Sequence, residues 1–190
     1  MLRIIAGTAR GLTLRVPRGT RVRPTGARAR TSLFSILADR LEGARVLDLF
    51  AGCGALGLEA LSRGAAFCCF VETAREALAA LEENLARSRL GERAEVLRKD
   101  ALTVAPKLAA EAPFDLVLID PPYPLLHERL ARFLGLLEEL ANGPATTPGS
   151  LIVLQHDSRT PLPAAVGPLR VLDRRDYGGT ALSFLARASG

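Results

Sequence analysis

The stretch that most constrains the fold runs from Arg45 to Arg63, RVLDLFAGCGALGLEALSR, where a short apolar run breaks into a glycine-rich turn and resumes with helical periodicity. Val46, Leu47, Leu49 and Phe50 suit a strand buried on both faces, as in a parallel sheet covered by helices. Asp48 interrupts that run. An ionised carboxylate there is costly unless it is paired or touches a ligand, so Asp48 is expected to face a pocket. Gly52, Gly54 and Gly57 take the G-x-G-x-x-G spacing, which lets the backbone bend sharply, approach a ligand closely and pack the next helix on the strand. A nucleotide-like ligand is implied.

The same spacing describes a dinucleotide fingerprint, and Glu72 lies at the offset where an acid would hold a ribose hydroxyl. A dehydrogenase is therefore the rival reading. Against it stands Asp48, which would bring negative charge close to a pyrophosphate, where two unit charges at about 4 Å repel by about 4 kcal/mol at an effective dielectric near about 20. S-adenosylmethionine removes the objection. It carries a sulfonium, an amino group and a ribose but no phosphate, and so accepts acids at Asp48 and Glu72 together.

From Arg45 the pattern alternates: strand 45–50, helix 54–63, strand 67–72, helix 74–88, strand 94–99, helix 101–110, strand 114–120, helix 124–141 and strand 150–156. Repeated βαβ units predict an open parallel sheet with helices on both faces. Ligands then belong at the carboxyl ends of the strands, which carry Gly52 to Gly54, Glu72, Asp100 and Asp120. Beyond Pro161 and Pro163, the runs Leu169–Asp173 and Ala181–Leu185, joined by Tyr177-Gly178-Gly179, read as a hairpin that closes the sheet.

Residues 1–43 read as a basic extension to a core of residues 44–190. Leu2 to Ala6 and Leu12 to Val16 predict a small hairpin outside the main sheet. A helix follows from about Gly26 to Leu41, capped by Thr25, with Leu33, Phe34, Ile36, Leu37 and Leu41 on its apolar face. Residues 1–38 hold eight arginines and no acid, which leaves 17 basic against 20 acidic residues in the remainder. That asymmetry points to nucleic acid, with Arg10, Arg21, Arg23, Thr25, Arg28 and Arg30 as the candidate contacts. Arg28 and Arg30 fall in the first turns of the helix and oppose its dipole, which an anionic ligand would offset.

No apolar stretch reaches the roughly 18 residues of a membrane span, and Arg3, Arg10 and Arg15 break any signal-like region, so a cytoplasmic protein with no membrane partner is expected. Cys53, Cys68 and Cys69 show no C-x-x-C spacing and His127 and His156 are isolated, so no metal is expected and the thiols read as reduced and buried.

The segment Phe114 to Tyr123, FDLVLIDPPY, is an apolar strand ending in a carboxylate, two prolines and an aromatic ring. The prolines remove two donors and stiffen a loop whose carbonyls then project as acceptors. An exocyclic amino group on a base is a poor nucleophile because its lone pair is delocalised. Acceptors on both its hydrogens, supplied by Asp120 and the Pro121 carbonyl, would favour the pyramidal nitrogen of the transition state, while Tyr123 stacks on the base.

LDLFAGCGALGLEALSRGA together with DPPY resembles the class I methyltransferases of exocyclic amino groups, and more narrowly the RsmD family, which methylates guanine N2 in small-subunit (16S) ribosomal RNA. RIIAGTARGL and RPTGARARTSLF in the arm, and Tyr177-Gly178 near the end, are similar to that family's pattern. The resemblance implies a Rossmann-like α/β fold with a seven-stranded, mostly parallel sheet. It implies S-adenosylmethionine as cofactor, with Asp48, Gly52 and Gly54 near the methionine part, Glu72 on the ribose hydroxyls, Asp100 near the adenine amino group, and Phe50 and Ala101 as further cofactor contacts. Asp120, Pro121, Pro122 and Tyr123 would form the catalytic loop around the target guanine, in a monomer whose partner is ribosomal RNA, free or in a small subunit. The chain departs from the family at Thr31, where an acid is usual, at Cys53 for a common serine, and at Ala74 for a polar residue. Two alternatives stay open: an amino methyltransferase acting on DNA adenine or protein glutamine, and a non-catalytic RNA-binding assembly factor on the same fold.

Overall fold

Eight strands form one sheet in the computed structural model, which describes residues 1–17 and 24–188. They are β1 (Arg45–Leu49), β2 (Phe67–Val71), β3 (Ala94–Leu97), β4 (Phe114–Ile119), β5 (Thr146–Asp157), β6 (Ala165–Val166), β7 (Leu169–Tyr177) and β8 (Thr180–Arg187). Their order is β3-β2-β1-β4-β5-β8-β7-β6. The first five run parallel, and β8 pairs antiparallel with both β5 and β7. The expected seven strands are present, and the two-residue β6 is added at the edge. The chain reverses its direction of travel between β1 and β4, the switch point at which open α/β sheets bind ligands.

Alternation along the central strands divides the interior into two layers. Val46, Cys68, Phe70, Leu116, Leu118 and Val153 face one core, while Leu47, Leu49, Cys69, Val117, Ile119 and Ile152 face the other. The neighbouring cysteines therefore point to opposite faces, and all three thiols are free and buried. Helices α1 (Pro24–Ile36), α2 (Ala55–Ser62) and α3 (Arg75–Ser88) contribute to the first core, and α4 (Tyr123–Glu128) and α5 (Leu130–Asn142) to the second.

Three expected helices take a different form. The first begins at Pro24, which puts Thr25 inside it rather than at its cap, and it ends at Ile36. Thr31 and Ser35 donate their hydroxyls back to the carbonyls of Ala27 and Thr31, a habit that weakens helices, and a single 3₁₀ turn at Ala38–Arg40 completes the segment. The expected helix 101–110 is instead two 3₁₀ turns, Ala101–Thr103 and Ala105–Lys107. Pro106 lacks the donor a helix would need there, and Asp100 caps the first turn by accepting from Leu102 N at 2.9 Å. The expected helix 124–141 breaks at Arg129 (φ −133°) into α4 and α5.

The amino-terminal hairpin lies outside the sheet, held by Ile4 N to Leu12 O at 3.0 Å, Gly11 N to Ile4 O at 2.9 Å and Leu14 N to Leu2 O at 2.9 Å. Its apolar residues Ile4 and Leu14, with Leu33, Phe34 and Leu37 of the arm, pack in the same core as β1, α2 and β8. The hairpin tip is seated on α2. Glu59, fully buried, accepts from Ile5 N (2.7 Å), Ala6 N (3.1 Å) and Arg63 Nε (2.6 Å). Thr8 N donates to Ser62 O at 2.8 Å and Ala9 N to Ser62 Oγ at 3.0 Å. Asn84 closes the other strand: its Oδ1 accepts from Arg15 N (2.8 Å) and its Nδ2 donates to Arg15 O (2.9 Å) and to Cys53 O (3.0 Å).

Gly7 (φ +82°) shows how close this seat is, since a Cβ there would lie 1.7 Å from Ser62 O. Gly11 (φ +84°) has the same backbone requirement but open space around it. Gly11→Ala should therefore cost about 1–2 kcal/mol of left-handed strain alone. Gly7→Ala should cost roughly 2–4 kcal/mol because overpacking adds to it. Urea unfolding of the two variants measures the difference, and equal losses would show that the tip does not bear on α2.

Candidate active site

The carboxyl ends of β1, β2, β4 and β5 open into a cavity of about 710 Å³, within the range of small-molecule sites. Leu2, Val16, Pro17 and the start of α1 supply one wall, so the arm is part of the enclosure. Phe50, Gly52, Glu72, Asp100, Ala101 and Asp120 to Tyr123 all line it, as expected from their strand-end positions.

The turn after β1 is strained. Phe50 has φ +58°, rare for an aromatic residue, followed by Gly52 at +58° and Gly54 at +83°. The three glycines serve different ends. A Cβ at Gly52 would meet nothing, which leaves the turn open toward the cavity. A Cβ at Gly54 would lie 2.4 Å from Leu81, and one at Gly57 would lie 2.3 Å from the Phe70 ring. These two glycines therefore seat helices on the sheet, and Gly54 does not line the cavity.

Asp48 is likewise moved from its expected place. It is only 1% exposed and lies beneath the turn, where Oδ2 accepts from Gly57 N at 2.9 Å, and it is absent from the cavity lining. Burial pushes its pKa up to about 8, reinforced by the charges of Asp120 and Glu72 and opposed by the Gly57 hydrogen bond. Glu72 braces the turn from the side, accepting from Gly52 N through Oε2 (2.8 Å) and from Thr73 N and Ala74 N through Oε1 (2.7 and 2.8 Å).

At the end of the neighbouring strand β4, Asp120 Oδ1 accepts from Gln155 Nε2 at 2.9 Å. Pro121 is buried, and Pro122 (φ −57°, ψ 133°) precedes the first residue of α4, Tyr123, whose hydroxyl meets Thr180 Oγ1 at 3.0 Å. Gln155 and Thr180 escaped sequence reasoning, although a glutamine within the apolar run LIVLQH marks a polar position at the end of β5. His156 is sealed off, with Nδ1 on the Asp157 carbonyl (2.8 Å) and Nε2 on Ser183 Oγ (2.9 Å).

The arginines of the arm divide. Arg10 and Arg28 are exposed, as a nucleic-acid contact requires. Arg30 is 8% exposed and turned inward, donating from Nη2 to the Arg3 carbonyl at 2.7 Å, so it is not available to a phosphate backbone. Arg21 and Arg23 lie outside the described residues, and Thr25 is placed only as part of the α1 backbone.

This arrangement has known counterparts. The family profile described as conserved hypothetical protein 95 matches residues 2–186. YlbH of Bacillus subtilis is 35% identical over 183 residues, 96% of this chain and 97% of that protein. Ribosomal RNA small subunit methyltransferase D of Haemophilus influenzae is 35% identical over 162 residues, 85% of this chain and 81% of that protein. The solved structure of Escherichia coli yhhF aligns with a TM-score of 0.81 at 32% identity, over 99% of this chain and 98% of that one.

The raised pKa of Asp48 fixes the sign of a pH dependence. Between the ordinary carboxylate value of 3.8 and about 8 the folded chain keeps a proton that the unfolded chain has released, so this contribution is full below that window and is lost as pH rises through it. Asp48→Asn, whose carbonyl oxygen can still accept from Gly57 N, should remove this part of the decline. Urea unfolding at about pH 5 and about pH 8 compares the two. Parallel pH profiles for parent and variant would show that Asp48 ionises normally in the fold.

Proposed function

We propose, from the premise that this chain belongs to the RsmD family of ribosomal RNA methyltransferases, that it transfers a methyl group from S-adenosylmethionine to the exocyclic N2 of a guanine in small-subunit ribosomal RNA. The observation that carries this reading is the single cavity in which the Asp120–Tyr123 loop faces the open glycine turn. The residues suit the cofactor. Gly52 leaves room for close approach, Glu72 presents a carboxylate to the ribose hydroxyls, and Asp100 with Ala101 suits the adenine end. When bound, S-adenosylmethionine supplies an electrophilic methyl group on a sulfonium.

The side chains then have distinct tasks. Asp120 and the Pro121 carbonyl accept hydrogen bonds from the two amino hydrogens of the guanine, drawing the lone pair out of conjugation as the nitrogen becomes pyramidal, and the one proton that the methyl group displaces leaves along the bond to Asp120. Gln155 holds the Asp120 carboxylate in one orientation, and Thr180 holds the Tyr123 ring at the angle from which it stacks on the base. The buried Pro121 and the apolar strands exclude water. Arg10 and Arg28 take backbone phosphates of the RNA.

Labelled S-adenosylmethionine, incubated with naked ribosomal RNA and with small subunits lacking the modification, should yield N2-methylguanosine on nucleoside digestion. Label in adenosine or in protein would reject the substrate. Asp120→Ala should slow single-turnover methyl transfer at least about 100-fold, about 2.7 kcal/mol of barrier, with binding of cofactor and RNA little changed. Asp120→Asn should be milder, since one acceptor remains. A rate for Asp120→Ala within about threefold of the parent would leave the loop a purely shaping role.

The arm generates a separate expectation. Replacing Arg10 and Arg28 by alanine should reduce the log–log salt slope of RNA binding by roughly 0.7–0.9 per lost phosphate contact, with cofactor affinity intact. An unchanged slope would make both residues solvated surface only.

A further inference from the structure

Arg30 brings to the cavity a charge that the methyl-transfer reading leaves unused. It lines the wall with Gly26 and Ala27, and its Nε and Nη1 are buried without a hydrogen-bond partner. The acid whose charge bears on it most, Glu59, is already engaged by Ile5 N, Ala6 N and Arg63 Nε. Burial works against the guanidinium charge, and among the described residues Arg30 has no ion pair. A buried cation left in this state is unfavourable unless an anion arrives. Its position says which one. Its charge acts on the Cys53 thiol, which places it at the glycine-turn end of the cavity. The only other basic residue among the described lining residues is Lys99, exposed and beside Asp100 at the β3 end.

We infer that Arg30 is the anchor for the carboxylate on the methionine part of the cofactor, which makes α1 a cofactor-binding helix rather than one turned wholly toward RNA. The inference rests on the proposed function. S-adenosylmethionine carries one anionic group. The acids Glu72 and Asp100 suit its ribose and its adenine amino group, Asp120 serves the guanine, and none of them can take that carboxylate. Arg30 supplies the missing complement, and a charge-assisted hydrogen bond to it offsets the cost of the guanidinium's burial. Because Nη2 also holds the Arg3 carbonyl, the same side chain joins the bound cofactor to the hairpin.

The test compares two ligands that differ only in the carboxylate: S-adenosylhomocysteine and its decarboxylated analogue S-adenosyl-3-thiopropylamine, titrated calorimetrically into the full chain. The parent should prefer the carboxylate-bearing ligand by about 10- to 100-fold. Arg30→Gln should bind both within about threefold of each other, and Arg30→Lys, which keeps the charge, should retain part of the preference. Equal affinity of the parent for the two ligands would overturn the inference without reference to any variant. So would an Arg30→Gln protein that keeps the preference, or one that loses affinity equally for both ligands, which would mark a purely structural residue. A parent that binds neither ligand would instead overturn the proposed function itself.

Discussion

Two acidic side chains hold the turn after β1 in a shape it would not adopt alone. Asp48 takes the Gly57 amide from below and Glu72 takes the Gly52 amide from the side. Between them the chain passes through Phe50, Gly52 and Gly54 at positive φ. Such a path persists only where its surroundings over-determine it. Those surroundings are the Leu81 and Phe70 side chains against Gly54 and Gly57, and Asn84 on the Cys53 carbonyl. The cavity inherits its floor from this arrangement. Burial raises the cost of ionising Asp48, and the nearby charges of Asp120 and Glu72 add to it.

Much of this was legible in the sequence, because short apolar runs ending in Gly, Glu or Asp can be ordered as parallel strands and their ends pooled at one edge. Glu72, Asp100 and the Asp120–Tyr123 loop were placed in the cavity by that reasoning alone. Asp48 sits beneath the turn rather than in the cavity wall: spacing records that an acid is buried, not which amide it faces. The break at Arg129 carries no Pro or Gly, so periodicity ran straight through it. Arg30 was read by composition as one of eight arm arginines, and only packing separates it from the exposed Arg10 and Arg28. Glu59 and Asn84 sit in helices with unremarkable polarity, and their tasks depend on backbone amides more than fifty residues away in sequence.

The arm is better understood as a wall of the core than as an appendage to it. Its hairpin spends its backbone donors on Glu59, Ser62 and Asn84, and its apolar residues join the layer containing α2 and β8. The arm exposes Arg10 and Arg28 on its outer side and encloses the cavity on its inner side through Leu2, Val16 and Arg30. Its small size suits this. A hairpin of this length could not be stable by itself, and its position is set by what it is docked to.

The strand β8 lies between β5 and β7 rather than at the edge, although it follows both in the chain. A growing polypeptide emerging from the ribosome therefore reaches Thr180, the partner of Tyr123, and Tyr177, the partner of Ser32, only after every parallel strand has been made. Until then the outer edge of β5 has no neighbour, and neither the Asp120–Tyr123 loop nor the arm has its final support. Assembly of the site is thus tied to translation of its carboxyl-terminal hairpin. A nascent chain interrupted before β8 would hold the glycine turn but lack the Thr180 partner of Tyr123 and the antiparallel neighbour of β5.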